Sequence, residues 1–287
     1  MKRDPGYALA HAGLAEAHAL LAFGIFGDEP PREAMPKAKA AAVRALAIDP
    51  DLPEAHAWNG VVAFLYDWDW AVAEAELLRA IALRPSTLGM IWYALFLLCT
   101  TGRHDEGIQV ATRARVLDPL SPLAIINVGR CYHFARRHDE AIRELRLALE
   151  MELRHEQTYE FLARALCAKG LFREALAELE AGMLAVGRRE GLLALHGHAA
   201  AALGVRRQAL EDLQELQRVG KPHPSVSYWE QVLRQALGDK DALFEYLERA
   251  FEERQGLMVF LRVEPLVDPL RSDPRFVSLL QRLRLDF

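Results

Sequence analysis

The chain has 287 residues, of which 52% are hydrophobic and 26% are charged, and its formal net charge at pH 7 is −5. Nucleic-acid-binding proteins normally carry a basic patch and a high pI, so this acidic balance argues against that class. The cysteines are few and odd in number, as expected in a reducing compartment: Cys99, Cys131 and Cys167. The longest apolar run, 90–99, is far shorter than the roughly 20 residues of a membrane span.

A secretory signal is not expected at the N-terminus. Lys2 and Arg3 precede an Ala- and Leu-rich stretch, but His11, Glu16 and His18 interrupt it before a short apolar core can form. We therefore predict a cytoplasmic protein with no membrane partner.

A repeated motif begins in the N-terminal part of the chain. Pro50, Pro85 and Pro119 each close a segment that starts with alanine and has an apolar residue two positions before the proline, and Pro85 and Pro119 lie 34 residues apart. The 34-residue spacing continues beyond the last of these prolines, because the segment 102–108 recurs as 136–142 and as 170–176. A fixed period of this length predicts a solenoid of stacked units.

Each unit reads as two amphipathic helices, since apolar residues recur at three- and four-residue steps and no alternating strand pattern occurs. The first unit includes a loop at 26–31. An irregular stretch, 256–271, follows the last unit, and Ser272-Asp273-Pro274 then predicts the start of a final helix that ends near Leu285. We expect 1–255 to form the solenoid and 256–287 to form its C-terminal cap. The units are expected near 8–52, 53–87, 88–121, 122–155, 156–189, 190–223 and 224–255.

Small residues recur at three places in the units, where close helix crossings leave no room for large side chains. They are Ala15, Gly60, Gly129, Ala163 and Gly197 in the first helix, and Ala38, Ala73, Gly107, Ala141, Ala175, Ala209, Ala45, Ala80, Ala114, Ala148 and Gly182 in the second. This pattern resembles the tetratricopeptide repeat, and the third unit departs from it at Leu95. The resemblance implies an all-α, right-handed superhelix of about seven helix-turn-helix units with a C-terminal capping helix.

A second, looser similarity concerns both ends of the chain. The segment 4–15 is similar to the start, and 268–276 to the end, of repeat regions attached to bacterial signalling proteins. Asp4 and Pro5 also match the end of a repeat whose body is missing. This similarity implies that the chain is the C-terminal part of a larger bacterial regulator.

No catalytic motif is found, so we expect no enzyme and no cofactor. His155–Tyr159 is nearest to a zinc-protease motif but lacks the second histidine. Cys99, His133 and Cys167 occupy the same place in successive units, and stacked helices lie about 8–10 Å apart. Zinc ligands lie about 2.0–2.3 Å from the ion, so a shared metal is not expected.

The family resemblance places certain first-helix side chains in a concave, partner-binding groove. One part of the predicted groove is apolar and aromatic, and the other is basic. The apolar residues are Phe64, Trp92, Phe96 and Ile126, and the basic residues are Arg130, His133, Arg164 and His198.

This arrangement predicts a non-catalytic scaffold that binds a protein or peptide with an apolar anchor and an acidic group or free carboxylate. The alternative is that the arginines only solvate an apolar wall, and Glu160, one turn before Arg164, can neutralise that residue. Two other roles stay open: self-association, and a small-molecule sensor using Trp92, Phe96 and Arg130. The sequence leaves the oligomeric state and the partner's identity undetermined.

Overall fold

The computed structural model describes residues 6–22, 29–152, 154–219 and 224–285. These residues form fifteen α-helices and short π- and 3-10-helical segments, with no β-strand among them. This confirms the predicted all-α fold. The described residues divide into two compact units, each of which contains several of the predicted repeats. The first unit contains 6–117, 249–262 and 279–285, and the second unit contains 118–248 and 263–278.

In the first unit, consecutive helices pack in pairs: α1 with α2, α3 with α4 and α5 with α6. Helices α3 and α5 each continue into a π-helical segment, Ala63–Asp67 and Leu97–Thr101. The helices are α1 Ala8–Ala22, α2 Pro31–Ile48, α3 Pro53–Val62, α4 Trp70–Leu83, α5 Thr87–Phe96 and α6 His104–Leu117.

The second unit repeats the arrangement, with α7 packed on α8, α9 on α10 and α11 on α12. Its helices are α7 Pro122–Phe134, α8 His138–Glu150, α9 Glu156–Ala168, α10 Phe172–Val186, α11 Glu190–Ala202, α12 Arg206–Val219 and α13 Pro224–Ala236. Two further helices each contribute residues to both units: α14 Lys240–Glu252 and α15 Pro274–Arg282.

Helix starts follow from local sequence. The side chain of Asp69 accepts a hydrogen bond from the backbone N–H of Val72 (3.2 Å), which caps α4. Ser86 and Ser121 cap α5 and α7 in the same way. These contacts satisfy N–H groups that have no partner inside the helix.

The recurring small residues lie where helices approach most closely. A Cβ atom on Gly129 would lie 2.5 Å from Cγ of Leu145, and one on Gly60 would lie 2.8 Å from Cγ of Leu77. In the third repeat the large Leu95 is fully buried, and a Cβ on Gly107 would lie 3.0 Å from the carbonyl oxygen of Ala94. That repeat thus keeps a close approach at Gly107, although its first helix carries a leucine.

The C-terminal stretch is built from two 3-10 segments, Gly256–Phe260 and Pro265–Leu270, followed by α15. The last helix begins at the predicted proline, Pro274. Within this stretch 256–262 belong to the first unit and 263–278 to the second. The division into a solenoid, 1–255, and a separate cap stays a prediction.

Of the described helices, none is both long and apolar enough to cross a membrane. Four features of the sequence analysis lie wholly or partly outside the described residues: the basic pair Lys2-Arg3, the Asp4-Pro5 pair, the N-terminal part of the predicted loop at 26–31, and the boundary near residue 223.

Candidate functional site

The aromatic residues predicted for the groove are core residues of the first unit. Phe64 is fully buried, and its ring meets the edge of Phe96 with 5.7 Å between centroids. Trp92 is also buried, with 8% of its surface exposed. Their burial means that these rings are not open to solvent in this conformation.

The C-terminal stretch of the first unit contributes to this burial. The ring of Phe260 lies 6.4 Å from that of Phe64, in an edge-on arrangement. Two residues later, Arg262 donates a hydrogen bond from Nη1 to the carbonyl oxygen of Thr100 (3.3 Å). An aromatic residue of the chain itself therefore packs against Phe64, one of the residues that the groove prediction assigns to a partner's apolar anchor.

In the second unit, Ile126 and His133 are buried, whereas Arg130 and His198 are half-buried. Burial lowers the pKa of His133 well below its usual range, and the charge of Arg164 lowers it further. Burial also lowers the pKa of His198 to about 4. Both imidazoles are consequently neutral at pH 7.

Arg164 lies at the centre of a buried charge cluster. Its Nη2 donates to Oε1 of Glu160 (2.7 Å) and its Nη1 to Oε2 of Glu264 (2.7 Å). The guanidinium carbon lies 4.8 Å from the ring centroids of both Phe161 and Trp229. Planar guanidinium groups are suited to such simultaneous stacking and ion pairing, so this side chain is held in one orientation.

Burial dominates the electrostatics of this cluster. It raises the pKa of Glu160, although the positive charge of Arg164 opposes the shift. It also raises the pKa of Tyr228, and the charge of Glu264 adds to that effect. Arg130, whose guanidinium lies 5.6 Å from the Phe161 ring, is a second positive charge that, like Arg164, partly opposes the effect of burial on the pKa of Glu160.

A second carboxylate fixes the same segment of the C-terminal stretch. Asp268 accepts two hydrogen bonds from Arg136, at 2.5 and 2.7 Å, and a third from Nε of Arg271 at 2.6 Å. Between Glu264 and Asp268 in the sequence, the side chains of Leu266 and Val267 are buried. The segment 264–268 thus presents two carboxylates and intervening apolar side chains to the helices of the second unit.

No family model matches the chain, and no curated protein matches it. Several solved structures are similar to the chain. A tetratricopeptide repeat protein from Parabacteroides merdae matches with a TM-score of 0.58 at 12% identity, covering 90% of this chain and 98% of that one. The Thermus thermophilus protein TTC0263, described as a thermophilic TPR protein, matches with a TM-score of 0.51 at 20% identity, covering 66% and 98%.

The chain has the tetratricopeptide-repeat fold. A further match is PilW, described as a widely conserved type IV pilus biogenesis factor, with a TM-score of 0.60 at 21% identity over 74% of this chain and 92% of that one. These identities establish the fold.

Sequence reasoning about the tetratricopeptide repeats missed the residues that pair with the predicted arginine. Glu264 lies 100 residues after Arg164 and beyond the last predicted repeat, and Trp229 lies 65 residues after Arg164 in the seventh predicted repeat. The Glu264-Pro265 dipeptide was an available signal, because the residue before a proline favours extended backbone, and Glu264 does lie just before the 3-10 segment Pro265–Leu270. The predicted groove residues remain a hypothesis about partner binding.

The side chains of metal-binding types in the described residues do not form a cluster. No group of three His, Cys, Asp or Glu side chains there is placed to hold an ion. All three cysteines are buried thiols, and burial raises the pKa of Cys131 and of Cys167 to about 12. These two thiols are therefore protonated, unreactive core groups at pH 7.

A buried histidine–aspartate pair predicts a pH effect on the stability of the second unit. Nδ1 of His196 lies 2.7 Å from Oδ2 of Asp212. Burial alone lowers the pKa of His196, but the hydrogen bond and charge of Asp212 outweigh burial, with Glu180 adding to them, so its pKa is raised. The stability from this pair is fully present below the ordinary pKa of about 6.5 and is lost as pH rises through the raised value.

We expect the free energy of unfolding of Asp212→Asn to fall less than that of wild type between pH 6 and pH 8. Urea denaturation at a series of pH values measures this difference. Glu180→Gln is the matched comparison and should flatten the profile much less, because Glu180 is 3.8 Å away and mostly exposed. An Asp212→Asn profile parallel to wild type across this range would contradict the assignment.

Proposed function

We propose that this chain is a non-catalytic scaffold whose second unit binds a segment of a partner protein that carries carboxylates flanked by apolar residues. The observation that carries the proposal is the arrangement around Arg164. Two aromatic rings stack against its guanidinium, and the carboxylate of Glu264, from the C-terminal stretch, pairs with it at 2.7 Å. Charge-assisted pairs with arginine and stacked aromatic residues are the usual hot spots of protein recognition.

The chain's own segment 264–268 is the first occupant of this surface, so a partner must compete with it. Displacing the segment would expose Leu266, Val267 and Leu270, which are buried in the second unit. A successful competitor therefore has to supply apolar side chains as well as carboxylates. This requirement narrows the partner from any acidic peptide to one that reproduces the chemistry of 264–268.

Competition also means that the apparent affinity depends on how often the segment leaves its site. A partner binds only the open fraction, and its apparent dissociation constant rises as that fraction falls. Loosening the segment without leaving a buried charge unpaired should strengthen binding. Asp268 suits this purpose because 42% of its side chain is exposed.

The test uses a fluorescein-labelled synthetic peptide with the sequence of residues 261–271 and measures its binding to the full chain by anisotropy. We expect saturable binding that weakens about tenfold or more when both peptide carboxylates are changed to amides, since each charged hydrogen bond is worth about 1.5–3 kcal/mol. The Asp268→Asn protein should bind the acidic peptide more tightly than wild type does.

Arg130→Gln removes a half-buried cation of the same surface and should weaken binding, whereas Arg143→Gln, on the exposed side of α8, is the matched control. Equal binding of the acidic and amide peptides would refute the proposal. So would the absence of peptide binding to both wild type and Asp268→Asn.

Self-association is a second candidate, favoured by exposed apolar side chains in the second unit. Leu120 and Leu184 are 83% and 89% exposed, and Leu147 and Met151 are also exposed. Light scattering across a range of concentrations tests this role: a constant monomer mass removes it.

The other sequence-based hypotheses remain predictions. A role within a larger bacterial regulator is checked by the coding sequence around the gene. The small-molecule sensor hypothesis involves Trp92 and Phe96 of the first unit and Arg130 of the second, and a thermal-shift screen of metabolites tests it.

A further inference from the structure

The arginine that pairs with Asp268 stands at a backbone position that recurs along the chain. Residues with positive φ values occur at successive intervals of 34: Gly102, Arg136, Gly170, Gly204 and Gly238. Glycine adopts this left-handed conformation without a steric penalty. Arg136 has a φ of 62°, which side chains rarely adopt. Backbone strain of this kind concentrates at positions where the side chain has a role.

The role of the Arg136 side chain in the second unit is to hold the C-terminal stretch. It lies in the turn between α7 and α8 and donates from Nη1 and Nη2 to the two carboxylate oxygens of Asp268, at 2.5 and 2.7 Å. Among the described residues, its guanidinium hydrogen-bonds only to this carboxylate. Displacing the segment 264–268 therefore leaves the fork of Arg136 available to the carboxylate of a partner.

The segment that Arg136 and Arg164 hold is a turn. Glu264 divides its carboxylate between two donors: Oε2 accepts from Arg164 at 2.7 Å, and Oε1 accepts from the N–H of Leu266 at 3.1 Å. Pro265 then begins the 3-10 segment Pro265–Leu270, for which its fixed φ is suited. The same carboxylate thus caps the turn and pairs with the protein surface.

The turn is also closed by hydrogen bonds within the segment. Arg271 donates from Nη2 to the carbonyl oxygen of Glu264 (3.3 Å) and from Nε to Asp268 (2.6 Å). A segment that holds its own bound conformation loses less conformational freedom when it binds. A partner with the same internal bonds would gain the same advantage.

The positions of the two arginines select the spacing of the two acids. Four residues of 3-10 helix advance about 8 Å along the axis. Four residues of extended strand advance about 13 Å. Because Arg164 and Arg136 pair with residues 264 and 268 of one turn, an extended peptide with the same two acids would satisfy one arginine and miss the other.

From these observations we infer that the second unit recognises a partner segment folded as a proline-initiated turn. The segment has the pattern Glu-Pro-x-x-Asp with apolar residues between the acids, and Arg136 is the residue that reads the second acid. This inference rests on the proposed function, and it adds the conformation of the partner and the spacing of its carboxylates.

The test is a double-mutant cycle between peptide and protein. Labelled peptides of residues 261–271, unmodified or carrying Asp268→Asn, are titrated against the full chain by anisotropy. For wild type we expect the Asn peptide to bind about threefold or more weakly, as suits a half-exposed bidentate pair. For Arg136→Gly the ratio of the two dissociation constants should be about threefold smaller than for wild type. The chain's own segment competes equally with both peptides, so its loosening cancels in the ratio.

The protein variants are chosen to keep the fold. Arg136→Gly should retain the helical circular dichroism spectrum, since glycine has the left-handed conformation at the equivalent places. Arg136→Asn is the second variant, because asparagine also tolerates this conformation. Arg143→Gln, an exposed change on α8, should keep the wild-type ratio. The effect of Glu264→Gln in the peptide should be the same in Arg136→Gly as in wild type, since that acid pairs with Arg164.

Two modified peptides test the turn itself. A glycine inserted between residues 267 and 268 keeps both acids but shifts the second by one residue, and this peptide should bind no more tightly than the Asp268→Asn peptide. An ester in place of the amide at Leu266 removes the N–H that Glu264 caps, and it should weaken binding by about fivefold, as the loss of a helix cap does.

Different results count against this inference and against the proposed function. If neither Arg136→Gly nor Arg136→Asn changes the ratio, or if the glycine-inserted peptide binds as tightly as the unmodified one, the partner is not read as a turn, although acidic-peptide binding stands. If the unmodified peptide binds neither wild type nor the Asp268→Asn protein, both proposals are wrong.

Discussion

Glu264→Ala is expected to lower the free energy of unfolding by about 3 kcal/mol, because it removes one partner of a buried ion pair and leaves Arg164 insufficiently neutralised. Both side chains are almost fully buried, with 8% of Arg164 and 4% of Glu264 exposed. The change also removes the carboxylate that accepts from the N–H of Leu266 (3.1 Å) and so caps the segment 265–270. Urea denaturation followed by circular dichroism measures the loss.

The matched control is Glu174→Ala in the same unit. Glu174 pairs with Arg146 at 3.0 Å, but about half of each side chain is exposed. An exposed pair of this kind contributes at most about 1 kcal/mol. If the two substitutions cost the same, the pairing of Glu264 with Arg164 would not be a major contribution to stability.

A triple change distinguishes the cost of an unpaired charge from that of lost packing. Replacing Glu160 and Glu264 by leucine together with Arg164→Met should restore most of the stability, since a buried ion cluster can often be replaced by apolar residues of similar volume without net loss. A triple variant less stable than Glu264→Ala would mean that the cluster contributes through its geometry and not only through mutual neutralisation.

Gly129→Ala is expected to destabilise the second unit by about 1–3 kcal/mol through overpacking. The new Cβ would lie 2.5 Å from Cγ and 2.8 Å from Cδ2 of Leu145, a side chain with no exposed surface. Since Cγ is near the root of the leucine, relief requires movement of the helix and not only a rotation of the side-chain tip. Thermal and urea unfolding should both show the loss.

Gly13→Ala is the matched control, made in α1 where the new Cβ would meet no atom within 4 Å apart from its chain neighbours and the adjacent backbone of its own helix. There the substitution should stabilise the protein by up to about 1 kcal/mol, because alanine has the higher helix propensity. The same substitution is thus expected to lower the stability at Gly129 and to raise it at Gly13. Stabilisation by Gly129→Ala would contradict the close crossing of α7 and α8.

The sequence by itself determined the repeat architecture. The step between Pro85 and Pro119, and the recurrence of 102–108 as 136–142 and 170–176, located the helix pairs to within a few residues. This works because each repeat makes its main contacts with its sequence neighbours, so a local pattern fixes local structure. The positions of the small residues at helix crossings could be predicted from the sequence for the same reason.

Only the tertiary structure decided what covers the predicted groove residues. Phe260 lies against Phe64, and Glu264 pairs with Arg164, although 196 and 100 residues respectively separate the partners in the chain. No period in the sequence connects an irregular C-terminal stretch to positions in the repeats, since such contacts depend on where the chain returns after the last helix. Burial then changed the chemistry of these residues, from solvent-facing cations and aromatics to parts of the protein core.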